Sequence, residues 1–191
     1  MHLTIPSQTK TTLRSSIEIK LSKGEQTISR TDTNGNILYY NDILAKTSEY
    51  NNKELLKCPQ SILRHPDMPR SLFFIIWQTL LAGNSTHAII KNFTKNENYY
   101  WTLIKITIQK DNNNHTISFL SHGVQAPPHA IEVVEPLYKY LLENEKRYDM
   151  ESSIKYLSHF LNKNNFATYN DYICNLNKKK KTSFFSNFIF N

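Results

Sequence analysis

Apolar and polar positions change period several times along the chain, and each change marks an element. Thr27 to Thr33 reads as a strand, Asn34-Gly35-Asn36 supplies the positive-φ residues of a tight hairpin, and Ile37 to Tyr40 is the partner strand. Asn41-Asp42 then offers an Asx cap to a short helical piece, Ile43 to Thr47, and a second short piece, Asn52 to Leu56, ends at Lys57-Cys58-Pro59. From Pro69 to Ala82 the residues Leu72, Phe73, Ile76, Trp77, Leu80 and Leu81 recur at helical spacing. Phe74 and Ile75 widen that face, proline suits the first helical position, and Gly83 stands just past the end. Three runs rich in Ile, Thr, Tyr, Phe and Trp follow, at Thr86 to Lys95, Tyr99 to Lys110 and His115 to Gln125, joined by Asn96-Glu97-Asn98 and Asp111 to Asn114.

After Ala126-Pro127-Pro128 the period is helical again. Glu132 to about Arg147 carries Val133, Leu137, Tyr140, Leu141 and Asn144 near one face, and Met150 to Leu161 carries Ile154, Leu157, Phe160 and Leu161. The pattern predicts an α+β fold: one five-stranded antiparallel sheet, short helices and one long helix on one face, and a C-terminal helical extension. The expected divisions are a lead-in at 1–25, where Ile17, Ile19 and Leu21 alternate weakly, a domain at 26–126, the helical extension at 127–165, and a basic, aromatic tail at 166–191.

Composition narrows the function. The 191 residues suit one compact domain with an appendage. The net charge of +7 owes four charges to Lys178–Lys181, and the aromatics are not interleaved with them, which disfavours nucleic acid. Cys58 and Cys174 stand far apart, in neither a disulfide pattern nor a zinc spacing. The start of the chain lacks the apolar core of a signal peptide, and the longest apolar run, Leu72 to Trp77, is far short of a membrane span. The expectation is a soluble, cytoplasmic protein. No Ser/His/Asp triad, paired-carboxylate site or kinase motif is visible, so no catalytic turnover is expected. The glycine-rich dinucleotide fingerprint is also absent.

Ser61 to Pro69 concentrates the remaining chemistry. Pro66 and Pro69 stiffen the backbone and push His65 and Met68 toward extended conformations, so Arg64, His65 and Asp67 sit on a rigid, non-helical bridge leading into the long helix. Each also has an ordinary reading: Arg64 and Asp67 as a surface pair, His65 as an exposed loop residue, Trp77 as core, Asn41 as a helix cap. Asn92 is harder to dismiss, because asparagine is depleted in strands and a buried amide needs a partner.

The element order resembles that of a PAS domain, and the particulars resemble the Aer-type redox and energy-taxis sensors, CetB-like stand-alone PAS proteins included. The matching residues are Thr31-Asp32 with its glycine hairpin, Asn41-Asp42, Leu63 to Pro69, Trp77, Lys91-Asn92, Tyr100-Trp101 and Glu135 to Lys139, over about 27–145. Asn96-Glu97-Asn98 departs from the family in lacking a glycine. The resemblance implies a PAS fold that binds FAD non-covalently and relays its redox state to a separate, membrane-bound chemoreceptor-like partner. It implies Arg64, His65 and Asp67 as flavin contacts, with Asn41, Trp77 and Asn92 in the pocket. On chemical grounds, FAD needs an aromatic slot, amide groups for its ring edge and a cation for its phosphates. Trp77 and Trp101, Asn41 and Asn92, and Arg64 or Lys91 offer these in turn. A cofactor-free docking module and a haem sensor using His65 or His87 remain as alternatives. A light-reactive flavin site needs a cysteine in a setting that Lys57-Cys58-Pro59-Gln60 does not provide. A homodimer, and a peripheral membrane contact through Lys178–Lys181 and the phenylalanines beyond, are left open.

Overall fold

The computed structural model describes residues 16–51 and 53–178. Most of the lead-in, the lysine run past Lys178 and the phenylalanines after it therefore lie outside the described residues. The hairpin forms where Asn34-Gly35-Asn36 predicts it, between β1 (Thr27–Thr31) and β2 (Ile37–Tyr40). β1 stops two residues early because Asp32 captures the turn: its Oδ1 accepts from the backbone N–H of Asn34 (2.9 Å) and Asn36 (2.8 Å). The Asn36 side-chain amide, which donates to the other oxygen, and then these backbone bonds hold the Asp32 carboxyl below its usual range.

α1 (Asp42–Ser48) is capped by Asn41, and a 3₁₀ turn at Gln60–Leu63 precedes the bridge. α2 (Arg70–Leu81) starts after Pro69, which cannot itself cap with a side chain. The cap comes from far along the chain, where the Glu145 carboxylate accepts from the N–H groups of Arg70 (2.9 Å) and Ser71 (2.7 Å). β3 (Thr86–Phe93), β4 (Tyr99–Lys110) and β5 (Thr116–Gln125) complete an antiparallel sheet of order β2-β1-β5-β4-β3. The lead-in joins it where β4 outruns β5: Ile19 N–H donates to Tyr99 O at 2.7 Å, and Tyr99 N–H to Ile17 O at 3.1 Å.

The C-terminal part differs most from expectation. α3 (Pro128–Arg147) begins four residues before the predicted Glu132, because Pro128 occupies a first-turn position where its missing N–H costs nothing. α4 (Met150–Lys163) starts on an Asp149 cap. α5 (Tyr169–Lys178) lies inside the segment assigned to a tail. These helices are not an appendage. Val134, Tyr138 and Leu141 of α3 and Ile173 of α5 share one core with Ile89, Trp101 and Leu103 of the sheet and with Leu72 and Leu80 of α2.

β3 is an edge strand, and an uncovered edge would invite pairing with another chain. Residues His87, Ile89 and Lys91 turn backbone groups to that edge, and three of these groups meet partners from outside the sheet. His87 N–H donates to Asn170 Oδ1 of α5 (2.9 Å), Ile89 O accepts from the Tyr138 hydroxyl of α3 (2.8 Å), and Lys91 O accepts from His65 N–H of the bridge (3.4 Å).

Candidate functional site

Between the sheet and the α1–bridge–α2 layer lies a cavity of ≈ 330 Å³. Its floor is the inward row of the strands, including Ile90, Asn92, Tyr100, Thr102, Phe119 and Ser121, and its roof includes Leu63, Arg64, Phe73, Ile76 and Trp77. Trp77 meets Phe119 edge-on, with ring centroids 5.3 Å apart. Gly35 approaches the same indole so closely that a Cβ there would stand 3.2 Å from Cζ2, so the hairpin turn fixes the position of the tryptophan as well as its own φ of 85°.

The bridge behaves as one further step of sheet. Arg64 pairs with Asn92 as an isolated antiparallel bridge. Directly opposite residues in such a pair share a face, and their neighbours share the other. Arg64 and Asn92 accordingly line the cleft, while His65 and Lys91 turn to the far side of the sheet. Asn92 Nδ2 donates to Thr102 Oγ1 at 2.9 Å. The Arg64 guanidinium stacks over Phe73, 3.8 Å from the ring centre, and burial lowers its pKa.

Two buried polar atoms on this cleft have no hydrogen-bond partner among the described residues: Arg64 Nε and the Tyr100 hydroxyl. Burial pushes the Tyr100 phenol up, so it stays protonated and remains a donor. A buried donor without an acceptor costs about 1–3 kcal/mol, which a bound ligand offering acceptors would recover. An aromatic wall, an amide, a cation and a phenol thus converge on one apolar cavity, the donor set that a flavin ring and its side chain require.

The single eight-residue site expected from the sequence divides into three groups. Arg64, Trp77 and Asn92 line the cleft. Asn41 does not: its Oδ1 accepts from Leu44 N–H (3.1 Å) and Ile28 N–H (3.0 Å), and its Nδ2 donates to Gln26 O (2.8 Å), so the amide ties α1 to β1. His65, Asp67, Lys91 and Trp101 gather on the opposite face, because strand alternation sends each residue the other way from its neighbour. There Lys91 Nζ bonds Asp67 at 2.6 Å and lies over the rings of Tyr99 and Trp101, at 4.7 and 5.9 Å. His65 Nδ1 accepts from Asp67 N–H at 3.0 Å and its ring meets Phe93 edge-on. Burial first, and then the Lys91 cation, lower the His65 pKa against the pull of Asp67. Trp101 stacks on Tyr138 of α3. Neither His65 nor His87 reaches the cleft, so the haem alternative lacks its ligand, and neither cysteine lines the cleft. Tyr100, Thr102 and Phe119 were missed. The alternation of β4 from Tyr100 would have selected the first two as partners of Asn92 on its face.

No protein-family model matches the chain. Over 114 residues, 60% of the chain, it is 34% identical to the aerotaxis receptor of Escherichia coli (strain K12), of whose length it spans 22%. Among solved structures, it superposes on a light-oxygen-voltage domain studied with a flavin analogue with a TM-score of 0.51 at 17% identity, covering 65% of this chain and 90% of that one. The light-state LOV domain of the blue-light photoreceptor Aureochrome1 gives 0.52 at 16% identity, covering 65% and 94%. The five-stranded antiparallel sheet with its helices has the PAS/LOV-type fold, and the chain is similar in sequence to an aerotaxis receptor over part of that protein's length.

Proposed function

We propose that the chain is a flavin-binding redox sensor, with FAD as its cofactor, serving energy taxis. The observation that carries this reading is the pair of unpartnered buried donors, Arg64 Nε and the Tyr100 hydroxyl, beside an aromatic wall and the Asn92 amide. The similarity to the aerotaxis receptor adds to it. When bound, a flavin supplies a reversible redox couple that changes the charge and hydrogen-bonding pattern of its ring edge.

The chain's own residues give that change somewhere to go. Trp77 and Phe119 would hold the ring, Asn92 and Tyr100 are the polar groups available to its edge, and Arg64 provides positive charge. A turn of the Asn92 amide would alter its bond to Thr102 and disturb the Arg64–Asn92 bridge. The adjacent residues His65 and Lys91 carry the disturbance through the sheet to α3 and α5. Output passes to a separate chemoreceptor-like partner in the membrane. None of the described helices is long and apolar enough to cross a membrane.

The sensor performs no turnover in this reading, since only Arg64 and Tyr100 titrate among the residues lining the cleft. The absence of a cysteine there favours redox response over light-driven adduct formation. An absorbance spectrum of the purified chain, before and after reconstitution with FAD, is expected to show an oxidised-flavin band that dithionite bleaches. No band after reconstitution would refute the reading.

A further inference from the structure

A second cavity, of ≈ 640 Å³, opens beside the cleft, between the bridge and the α3–α4 turn, and Ser61 and Arg64 belong to the walls of both. Its charged groups do not balance. Glu145 spends both carboxylate oxygens on the N-terminus of α2, and Asp149 accepts from Ser152 N–H at 2.7 Å to cap α4. Arg64, Arg70 and Lys146, in contrast, enter no salt bridge among the described residues. Lys146 is near enough to Asp67 to favour its charged form, but that carboxylate already holds Lys91 at 2.6 Å. Arg64 is additionally disfavoured by Arg70 across the cavity, against a smaller pull from Glu145. Mutually repelling cations around a cavity are the arrangement that an anion relieves.

Volume points the same way. The cleft lies at the low end of the roughly 300–1,000 Å³ usual for small-molecule sites, so a dinucleotide held by its flavin must continue elsewhere. The second cavity is the adjoining space, and Arg64 stands at the junction. Resting on the flavin reading, we infer that this cavity receives the diphosphate and adenosine end of FAD, with Arg64, Arg70 and Lys146 facing the phosphates. The chain would then be selective for FAD over riboflavin. Its C-terminal helices would form part of the binding site, because Lys146 belongs to α3 and Asp149 and Met150 close the cavity from the α3–α4 turn.

The test measures binding of riboflavin, FMN, FAD and ADP to the full chain by flavin fluorescence and calorimetry. FAD is expected to bind about ten-fold or more tightly than riboflavin. ADP should compete with FAD while leaving riboflavin bound. Arg70 and Lys146 are exposed and their side chains make no hydrogen bond among the described residues, so Arg70→Gln combined with Lys146→Gln should fold as the parent does. That variant is expected to lose the FAD preference while keeping its riboflavin affinity. Hydrogen exchange gives an independent readout: FAD, and not riboflavin, should slow the amides around Tyr148 and Asp149. Equal affinities for FAD and riboflavin in the parent chain, or an FAD preference that survives in the variant, would overturn the inference and leave the flavin reading standing. ADP binding without any flavin binding would overturn both.

Discussion

The claim that the C-terminal helices belong to the same folded unit as the sheet turns on two hydroxyls. Tyr138 of α3 donates to Ile89 O on the outer edge of β3, and its hydroxyl meets that of Tyr169 from α5; both side chains are 2% exposed. Burial raises both phenol pKa values, so both stay protonated. Tyr138→Phe removes the donor to the Ile89 carbonyl together with the hydroxyl–hydroxyl contact and should cost about 2 kcal/mol, whereas Tyr169→Phe removes only the contact and should cost about 1 kcal/mol. The double variant loses the shared hydroxyl contact once rather than twice and should cost about 2 kcal/mol, less than the two singles together. Urea unfolding of the full chain measures all corners of the cycle, provided that the slope with denaturant is unchanged. For a chain of this size each kcal/mol also lowers the melting temperature by roughly 2–4 °C. Additive losses would show that the two hydroxyls do not interact. A double variant as stable as the parent, or a separate early transition, would show that α3 and α5 are not packed on β3.

Two further expectations separate the groups within the site. Asn41→Ala should cost about 1 kcal/mol of stability through the lost α1 cap and leave flavin stoichiometry unchanged, whereas Asn92→Ala should leave the fold intact by circular dichroism and weaken flavin binding about ten-fold; the reverse pattern would return Asn41 to the pocket. His65 bears on pH. Its ring is faced by Asp67 and Lys91, and its folded pKa lies below the unfolded value near 6.5, so the unfolded chain binds the extra proton. Stability should be full above about pH 6.5 and fall as pH drops below it, and His65→Gln should remove that part of the slope; identical acid slopes in variant and parent would refute the assignment.

What was legible in the sequence was what local chemistry decides. Asn34-Gly35-Asn36 forces a hairpin whatever surrounds it, and the apolar face of Leu72, Ile76 and Leu80 is written at helical spacing. α5 was not legible in this way. Asn170, Asp171, Asn175 and Asn177 are poor helix formers, and the helix exists because Tyr169, Tyr172, Ile173 and Leu176 bury one face against the protein. Their i, i+3, i+4, i+7 spacing was the available signal, masked by the asparagines. The N-terminal cap of α2 was beyond reach for another reason: Glu145 lies 75 residues from Arg70, and nothing local marks it.

The candidate site fails to be legible as a single pocket for a geometric reason. Arg64-His65 and Lys91-Asn92 are adjacent in sequence, and adjacency suggests one cluster. In extended backbone, adjacency means opposite faces. The Arg64–Asn92 bridge and the His65 N–H to Lys91 O bond hold the two dipeptides in register, so one residue of each faces the cleft and the other faces the α3 side. Two short segments thereby join a cavity with unpartnered donors to the ion pair of buried Lys91 and exposed Asp67 on the far side. A ligand that displaced the Asn92 backbone would move Lys91 with it, because the two share a peptide plane whose carbonyl is held by His65. The same alternation that scatters the expected contact residues over two faces gives the domain a direct connection from the cleft to the helices.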